Sequence, residues 1–337
     1  MYFCKKKYID KKYMKKVLGM GNALVDILSK IESDSKLNDL SLAKGSMQLI
    51  DNKFLSDLEG KVTDYHLATG GSASNTISGL AKLGIPTGFV GKIGEDNIGD
   101  FFREDASRQG VQAYLLTSKT NKSGCCFAFI SPDGERTMAT HLGAACELSI
   151  DDLHFSMFEN CGILHIEGYL IYNQPLIEKA MAMAKEAGLK ISIDLASFNV
   201  VDENLEFLRK LVAEYVDIVF ANEEEAKAFT GKEAEEALHH ISDLCEIAVV
   251  KIGKDGSYIK SCGDHFHVPA TESKAVDTTG AGDLYASGFL YGLTSGLPLD
   301  VCGRIGSIVA GNVVEVIGAK MEETRWDIIR NEIKKLQ

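Results

Sequence analysis

The rhythm of apolar and polar positions changes along this chain. From residue 160 onward, short unbroken apolar runs alternate with segments in which apolar residues recur at spacings of three and four. The runs GILHIEGYL (162–170), ISIDLA (191–196), DIVFAN (217–222) and IAVVKIG (247–253) read as strands buried on both faces. A helix is predicted between the first two, over about 174–187, because Leu176, Ile177, Ala180, Met181 and Ala184 form one stripe and Gly188 stands where a left-handed cap belongs. Such alternation means crossover units, and therefore a mainly parallel sheet covered by helices, an α/β fold. The earlier part of the chain differs. SGCCFAFI, PDGE and RTMATHL, between 122 and 141, predict a β-hairpin, since Asp133-Gly134 supplies the positive φ of a tight turn. Residues 27–55 are also irregular, broken at Lys44-Gly45-Ser46-Met47, and both stretches are expected to form a small β-rich lid inserted in the larger domain. No linker, internal repeat or low-complexity segment divides 17–337.

At 337 residues and 45% hydrophobic content, the chain can bury a sizeable core. A net charge of −12 argues against a nucleic-acid surface and suits an enzyme that holds anions with backbone amides and metal ions. Eight cysteines without a C-x-x-C pair suggest reduced, buried thiols, and His265 and His267 share a strand face without a third ligand, so no zinc site is expected. The first sixteen residues carry seven lysines and no apolar stretch of signal-peptide length; 1–16 is expected to be a basic, disordered tail, with Met14 an alternative start. No run approaches the roughly 20 apolar residues that cross a bilayer, and a cytoplasmic location without membrane contact is expected.

Chemistry concentrates at Asp277-Thr278-Thr279-Gly280-Ala281-Gly282-Asp283, which opens a helical segment. Small residues at a helix start let unpaired amides converge on an anion, and the helix dipole adds to their pull. An aspartate inside that pocket opposes anion binding, but it is well placed to take a proton from an attacking hydroxyl, so the combination implies phosphoryl transfer. The bland alternative is a helix turn capped by Thr278 or Thr279, with Asp283 merely complementing the dipole. Earlier, Gly70-Gly71 leads into a helix bearing Asn75; adjacent glycines allow close backbone approach to a ligand, and Asn75 offers a donor and an acceptor to sugar hydroxyls. Gly19-Met20-Gly21 after an apolar strand raises a dinucleotide-dependent oxidoreductase as a competitor, but Leu24 occupies the third glycine position.

The glycine pair with Asn75, the segment GKIGEDNIG (91–99) and DTTGAGD (277–283) resemble the two signature regions of the ribokinase-like, or PfkB-type, carbohydrate and nucleoside kinases, over about 17–318. The resemblance implies a three-layer α/β/α fold with a small β-rich lid, and it implies that Asp283 is the catalytic base and that Gly280, Ala281 and Gly282 form the anion hole. ATP and Mg²⁺ are the implied cofactors, with dependence on a monovalent cation left open. Asn222-x-x-Glu225 matches the family's N-x-x-E motif, which implies an indirect hold on Mg²⁺ and the phosphates; on its own it reads as an acidic helix start. Lys251, Gly253, Gly256, Thr278 and Asn312 fall where the family approaches the nucleotide. Asn22 and Asp26 in GNALVD are implied to grip the acceptor's hydroxyls together with Gly70, Gly71 and Asn75, and Arg136 to lie in the lid near the phosphates. Similarity is greatest to adenosine kinases, which favours adenosine over a free sugar as the small-molecule substrate; DLASF (194–198) does not decide between them. A non-catalytic sugar- or nucleoside-binding protein on the same fold is the other alternative. Monomer and homodimer stay equally open.

Overall fold

A computed structural model describes residues 15–337. The expected basic tail and the alternative start at Met14 therefore lie outside the described residues, apart from Lys15 and Lys16, and Lys16 already opens the first strand. Fourteen strands follow among the described residues: β1 (Lys16–Met20), β2 (Leu24–Lys30), β3 (Met47–Leu49), β4 (His66–Gly70), β5 (Thr87–Gly94), β6 (Val111–Ser118), β7 (Gly124–Ile130), β8 (Arg136–His141), β9 (Cys161–Glu167), β10 (Lys190–Asp194), β11 (Ile218–Asn222), β12 (Ile247–Lys251), β13 (Ser257–Ser261) and β14 (Asp264–Val268).

Nine of them form one sheet in the order β14-β13-β12-β11-β10-β9-β1-β5-β6. The seven from β12 to β6 are parallel, and the β13–β14 hairpin adds an antiparallel edge. Because both faces carry helices, each central strand buries alternate residues in two separate layers. Leu18, Met20, Leu164, Ile166, Ile191 and Ile193 pack on one side; Val17, Ile163, Ile218, Phe220 and Val249 pack on the other. At about 1.5–3 kcal/mol for each such side chain, this burial dominates the stability of the sheet. The helix expected near 174–187 runs over Gln174–Glu186, with the Asn173 side chain accepting from the Leu176 amide and Gly188 at φ 77° beyond its end.

The remaining five strands form a second sheet, β3-β8-β7-β2-β4. Its β7–β8 hairpin closes through Ser131–Glu135, with Gly134 at φ 88°. This sheet extends beyond the stretches read from the sequence: it begins at Leu24, and it takes in β4, a short strand that runs straight into the Gly70-Gly71 pair. The short link between β1 and β2 also removes the oxidoreductase alternative. A dinucleotide fingerprint needs a helix after its glycines, whereas the chain passes from Gly21 directly into β2.

Strand β1 lies between β5 and β9, so the chain winds one way through β5 and β6 and the other way through β9 to β12. Ligand crevices in open α/β sheets form at such a reversal, beyond the carboxyl ends of the strands. Two helix starts, Ser72–Lys82 after β4 and Ala281–Thr294 after the DTTG turn, face that crevice, and the second helix packs against both the first and Leu299–Val313.

Candidate active site

Four successive parallel strands end in a polar residue: Glu167 closes β9, Asp194 β10, Asn222 β11 and Lys251 β12. The strand interiors are apolar, and the polar ends emerge together because Asp194 is in register with Glu167, and Lys251 with Asn222. A cleft of about 530 Å³ opens above them, lined by Asp194, Asn222, Glu225, Lys251, Gly253, Gly282 and Asp283, with Ser72, Tyr169, Ala196, Glu223 and Glu224 completing the wall.

Asp283 sits in the first turn of the helix Ala281–Thr294. Ser72 Oγ donates to its Oδ1 at 2.7 Å and Asn75 Nδ2 to its Oδ2 at 3.0 Å. Burial raises its carboxyl from the ordinary 3.8 to about 6; the Ser72 and Asn75 hydrogen bonds and the Lys251 ammonium pull downward, while the nearby Asp194 carboxylate pushes upward. Asn75 is thus turned toward this carboxylate, and its Oδ1 is buried without a partner. Of the amides in the expected anion hole, that of Ala281 already donates to the Thr278 carbonyl (3.1 Å). Gly282 and Asp283 retain first-turn amides that no intrahelical carbonyl can reach. A Cβ added at Gly282 would come within 3.0 Å of Lys251 Nζ, so a glycine is what lets the ammonium sit over the helix start.

Lys251 Nζ pairs with Asp194 Oδ2 at 2.7 Å. Burial pushes the ammonium's pKa down, but the Asp194 and Glu225 charges overcome it and hold the pKa above its ordinary value. Asn222 and Glu225 form a reciprocal cap on the helix Glu223–Thr230: Asn222 Oδ1 accepts from the Glu225 amide, and the Glu225 carboxylate accepts from the Asn222 amide and side chain, all at 2.8 Å. Burial, reinforced by Asp194, raises the Glu225 pKa. The acidic helix start read as a bland alternative and the cleft wall are therefore the same residues.

A second group of polar residues lies where β1, β4 and the helix Ser72–Lys82 meet. Glu167 is 1% exposed and accepts from Asn22 N (2.8 Å), Asn22 Nδ2 (2.7 Å) and Ala73 N (3.0 Å). Burial nonetheless lifts its pKa to about 7 against those donors. The amide nitrogen of the Asn22 side chain is thus committed to Glu167. Gly71, at φ 88°, brings its backbone against the Asn22 carbonyl, where a Cβ would stand 2.3 Å from the oxygen; Gly70 similarly abuts Asp26. Burial raises the Asp26 carboxyl to about 6, moderated by Lys320 and Arg136. Lys320, lowered to about 8 by burial, donates to Ser78 Oγ at 3.1 Å.

Some expected residues lie away from the cleft wall. Arg136, at the start of β8, reaches Asp277 and Thr279. Asn312 bonds back to the Ile308 carbonyl and receives Arg325, and Gly256 forms the tight turn between β12 and β13. Local sequence pattern does not single out Ser72, Glu167, Asp194 or Lys320 as site residues. A lone acid ending an otherwise apolar strand, as in CGILHIE and KISID, is the signal that marks two of them. No group of three or more His, Cys, Asp or Glu side chains among the described residues is arranged to hold a metal alone.

The pfkB family carbohydrate kinase model matches residues 35–325. The 5-dehydro-2-deoxygluconokinase of Bacillus subtilis is 31% identical over 73% of this chain and 80% of its own length. Among solved structures, a probable sugar kinase from Rhizobium etli superposes with a TM-score of 0.85 at 34% identity, covering 95% of this chain and 99% of that one. Adenosine kinase from Sinorhizobium meliloti gives the same TM-score, 0.85, at 33% identity over 95% of this chain and 100% of that one. With a glycine-rich helix start that carries an embedded aspartate, and with this likeness across almost the whole chain, the protein belongs to the pfkB family of carbohydrate kinases, phosphotransferases whose acceptor is an alcohol group.

Proposed function

We propose that the protein transfers the γ-phosphate of ATP to the 5′-hydroxyl of adenosine, giving AMP and ADP, in the cytoplasm. The observation that carries the reaction is Asp283, held by Ser72 and Asn75 at a helix start that also presents the Gly282 and Asp283 amides and the Lys251 ammonium. Adenosine as the acceptor is supported by the near-complete overlap with the Sinorhizobium meliloti adenosine kinase.

Asp283 accepts the proton as the acceptor oxygen attacks the γ-phosphorus and the bond to the β-phosphate oxygen breaks. Gly282 and Asp283 amides and Lys251 face the charge that develops on the transferred group. Asn22 and Asp26, with the glycine pair, hold the acceptor's sugar; Glu167 orients Asn22. The donor set fits a nucleotide-borne Mg²⁺, which takes one or two carboxylates and completes its shell with phosphates and water; Glu225 and Asn222 are the residues to hold it, through water. When bound, that ion supplies neutralisation of phosphate charge. Gly253, Gly256, Thr278 and Asn312 are assigned to the nucleotide side, and the five-stranded sheet to a lid that excludes water on closing.

A second reading, a sugar kinase, is favoured by the Bacillus subtilis relative, and it keeps every role except that of the acceptor. Product analysis decides between them: ³¹P NMR after incubation with Mg-ATP and adenosine should show AMP. A sugar phosphate formed while adenosine is untouched would overturn the assignment.

A further inference from the structure

The five-stranded sheet is joined to the helix start at 281 by one buried ion pair. Arg136, the first residue of β8, brings Nη2 within 2.5 Å of Asp277 Oδ2, and its Nη1 donates to Thr279 Oγ1 at 3.1 Å. The two charged side chains are 11% and 9% exposed. Asp277 uses its remaining capacity locally. Its Oδ1 accepts from the Thr279 amide (3.0 Å) and hydroxyl (2.8 Å), and its Oδ2 accepts from the Gly318 amide (2.6 Å). One carboxylate therefore closes two loops, 277–280 and 314–318, and Ala319, directly after the second, packs against Gly280. Behind Arg136, Lys44 binds both Asp34 and Asp133, so the hairpin turn that carries the arginine is itself braced.

We propose that Arg136 and Asp277 form a latch that transmits the position of the five-stranded sheet to the anion-binding loop. In this role Arg136 is a positioning residue for phosphoryl transfer, acting through Asp277 rather than on the substrate. The inference rests on the kinase reading above for its catalytic consequence, but not for its structural one. With the sheet docked, the guanidinium neutralises Asp277 and draws Thr279 into place, which sets the Gly280–Asp283 turn. When the sheet lifts, the carboxylate loses its counter-charge and keeps only its contacts to the Thr279 amide and hydroxyl and the Gly318 amide. Misplacing a catalytic loop by about 1 Å costs on the order of 10²-fold in rate.

Two measurements on Arg136→Gln, Asp277→Asn and the double variant test this. First, hydrogen exchange is followed on the ligand-free protein in peptides covering 277–283 and 314–318. Second, kcat and acceptor KM are measured with Mg-ATP. Either single variant should speed exchange in both peptides and lower kcat by about 10- to 100-fold, with KM within about threefold. The double variant should be no slower than the worse single one, because both act through one contact. Millimolar guanidinium should restore part of the turnover of Arg136→Gly. Should Arg136→Gln not fold, Arg136→Lys, which keeps the charge but loses the fork, should show the same effects in smaller measure. Slower turnover of Arg136→Gln with unchanged exchange would mean that the arginine acts directly on substrate, and the latch would be wrong. Losses that multiply in the double variant would overturn it as well. An inactive wild-type protein would refute the kinase assignment alone, since the exchange measurement needs no substrate.

Discussion

Replacing Asp283 with asparagine should abolish most turnover and at the same time make the protein more stable. The carboxyl sits near 6 rather than at its ordinary 3.8, chiefly because it is buried. A group of this kind is bound more tightly to its proton in the folded state. The contribution of this group to stability is therefore most favourable below about pH 3.8 and falls as the pH rises toward 6, after which its penalty is constant. The full difference corresponds to about 3 kcal/mol at roughly 1.4 kcal/mol per pH unit. Solvent that reaches the half-buried side chain cuts this to about 1–2 kcal/mol. An amide in the same place keeps one acceptor for Ser72, and rotation of Asn75 would aim its unpartnered Oδ1 at the new amide N–H. For a chain of this size the gain converts to a rise of about 1–3 °C in Tm at pH 8. By pH 5 about half of it should vanish, because the wild-type carboxyl is by then largely protonated when folded. Differential scanning calorimetry at the two pH values reads the effect, and a steady-state assay reads the loss of the proton acceptor, about 10²-fold or more in kcat. A variant that melts lower than wild type at pH 8, or one whose gain is the same at both pH values, would refute the burial argument. Retained turnover would refute the role of base.

Other consequences follow from the same geometry. Because the base must be ionised, kcat/KM should fall tenfold per unit as the pH drops below about 6, and an acid limb near 4 would show that Asp283 is not the titrating group. Lys251→Met leaves Asp194 buried and unpaired, so it should cost about 3–5 kcal/mol in denaturant titration and most of the turnover; adding Asp194→Asn should recover stability but not activity. Gly71→Ala forces a left-handed φ on a side chain aimed at the Asn22 carbonyl and should cost at least about 1–3 kcal/mol, mostly as a raised acceptor KM if Asn22 yields instead. Asp26→Ala should raise acceptor KM about tenfold or more with kcat little changed, and an unchanged KM would remove Asp26 from the acceptor site.

Much of this architecture was legible because the physical signals were local. Double-sided burial leaves unbroken apolar runs such as IAVVK, and the helix Gln174–Glu186 carries both its stripe and its cap in sequence. The DTTGAGD string likewise contains its own turn, helix start and acid. What stayed hidden depends on register between distant strands. Glu167 and Asp194 become neighbours only because β9 and β10 pair in parallel, and Ser72 faces Asp283 only once two helices have packed. For Asn75, sequence supplied the residue but not its direction: it faces the carboxylate of Asp283. The second sheet is longer than the sequence pattern suggests, because β4 is only five residues long and its alternation is lost in the glycine pair that follows.

The most direct test of the proposed reaction is coupled ADP release with Mg-ATP and a panel of adenosine, inosine, guanosine, ribose, fructose and 5-dehydro-2-deoxygluconate. Turnover with adenosine well above every other acceptor, with AMP as the product, is the expected result. Turnover confined to a free sugar or to the sugar acid would contradict it and move the acceptor assignment of Asn22, Asp26 and Glu167 to that ligand.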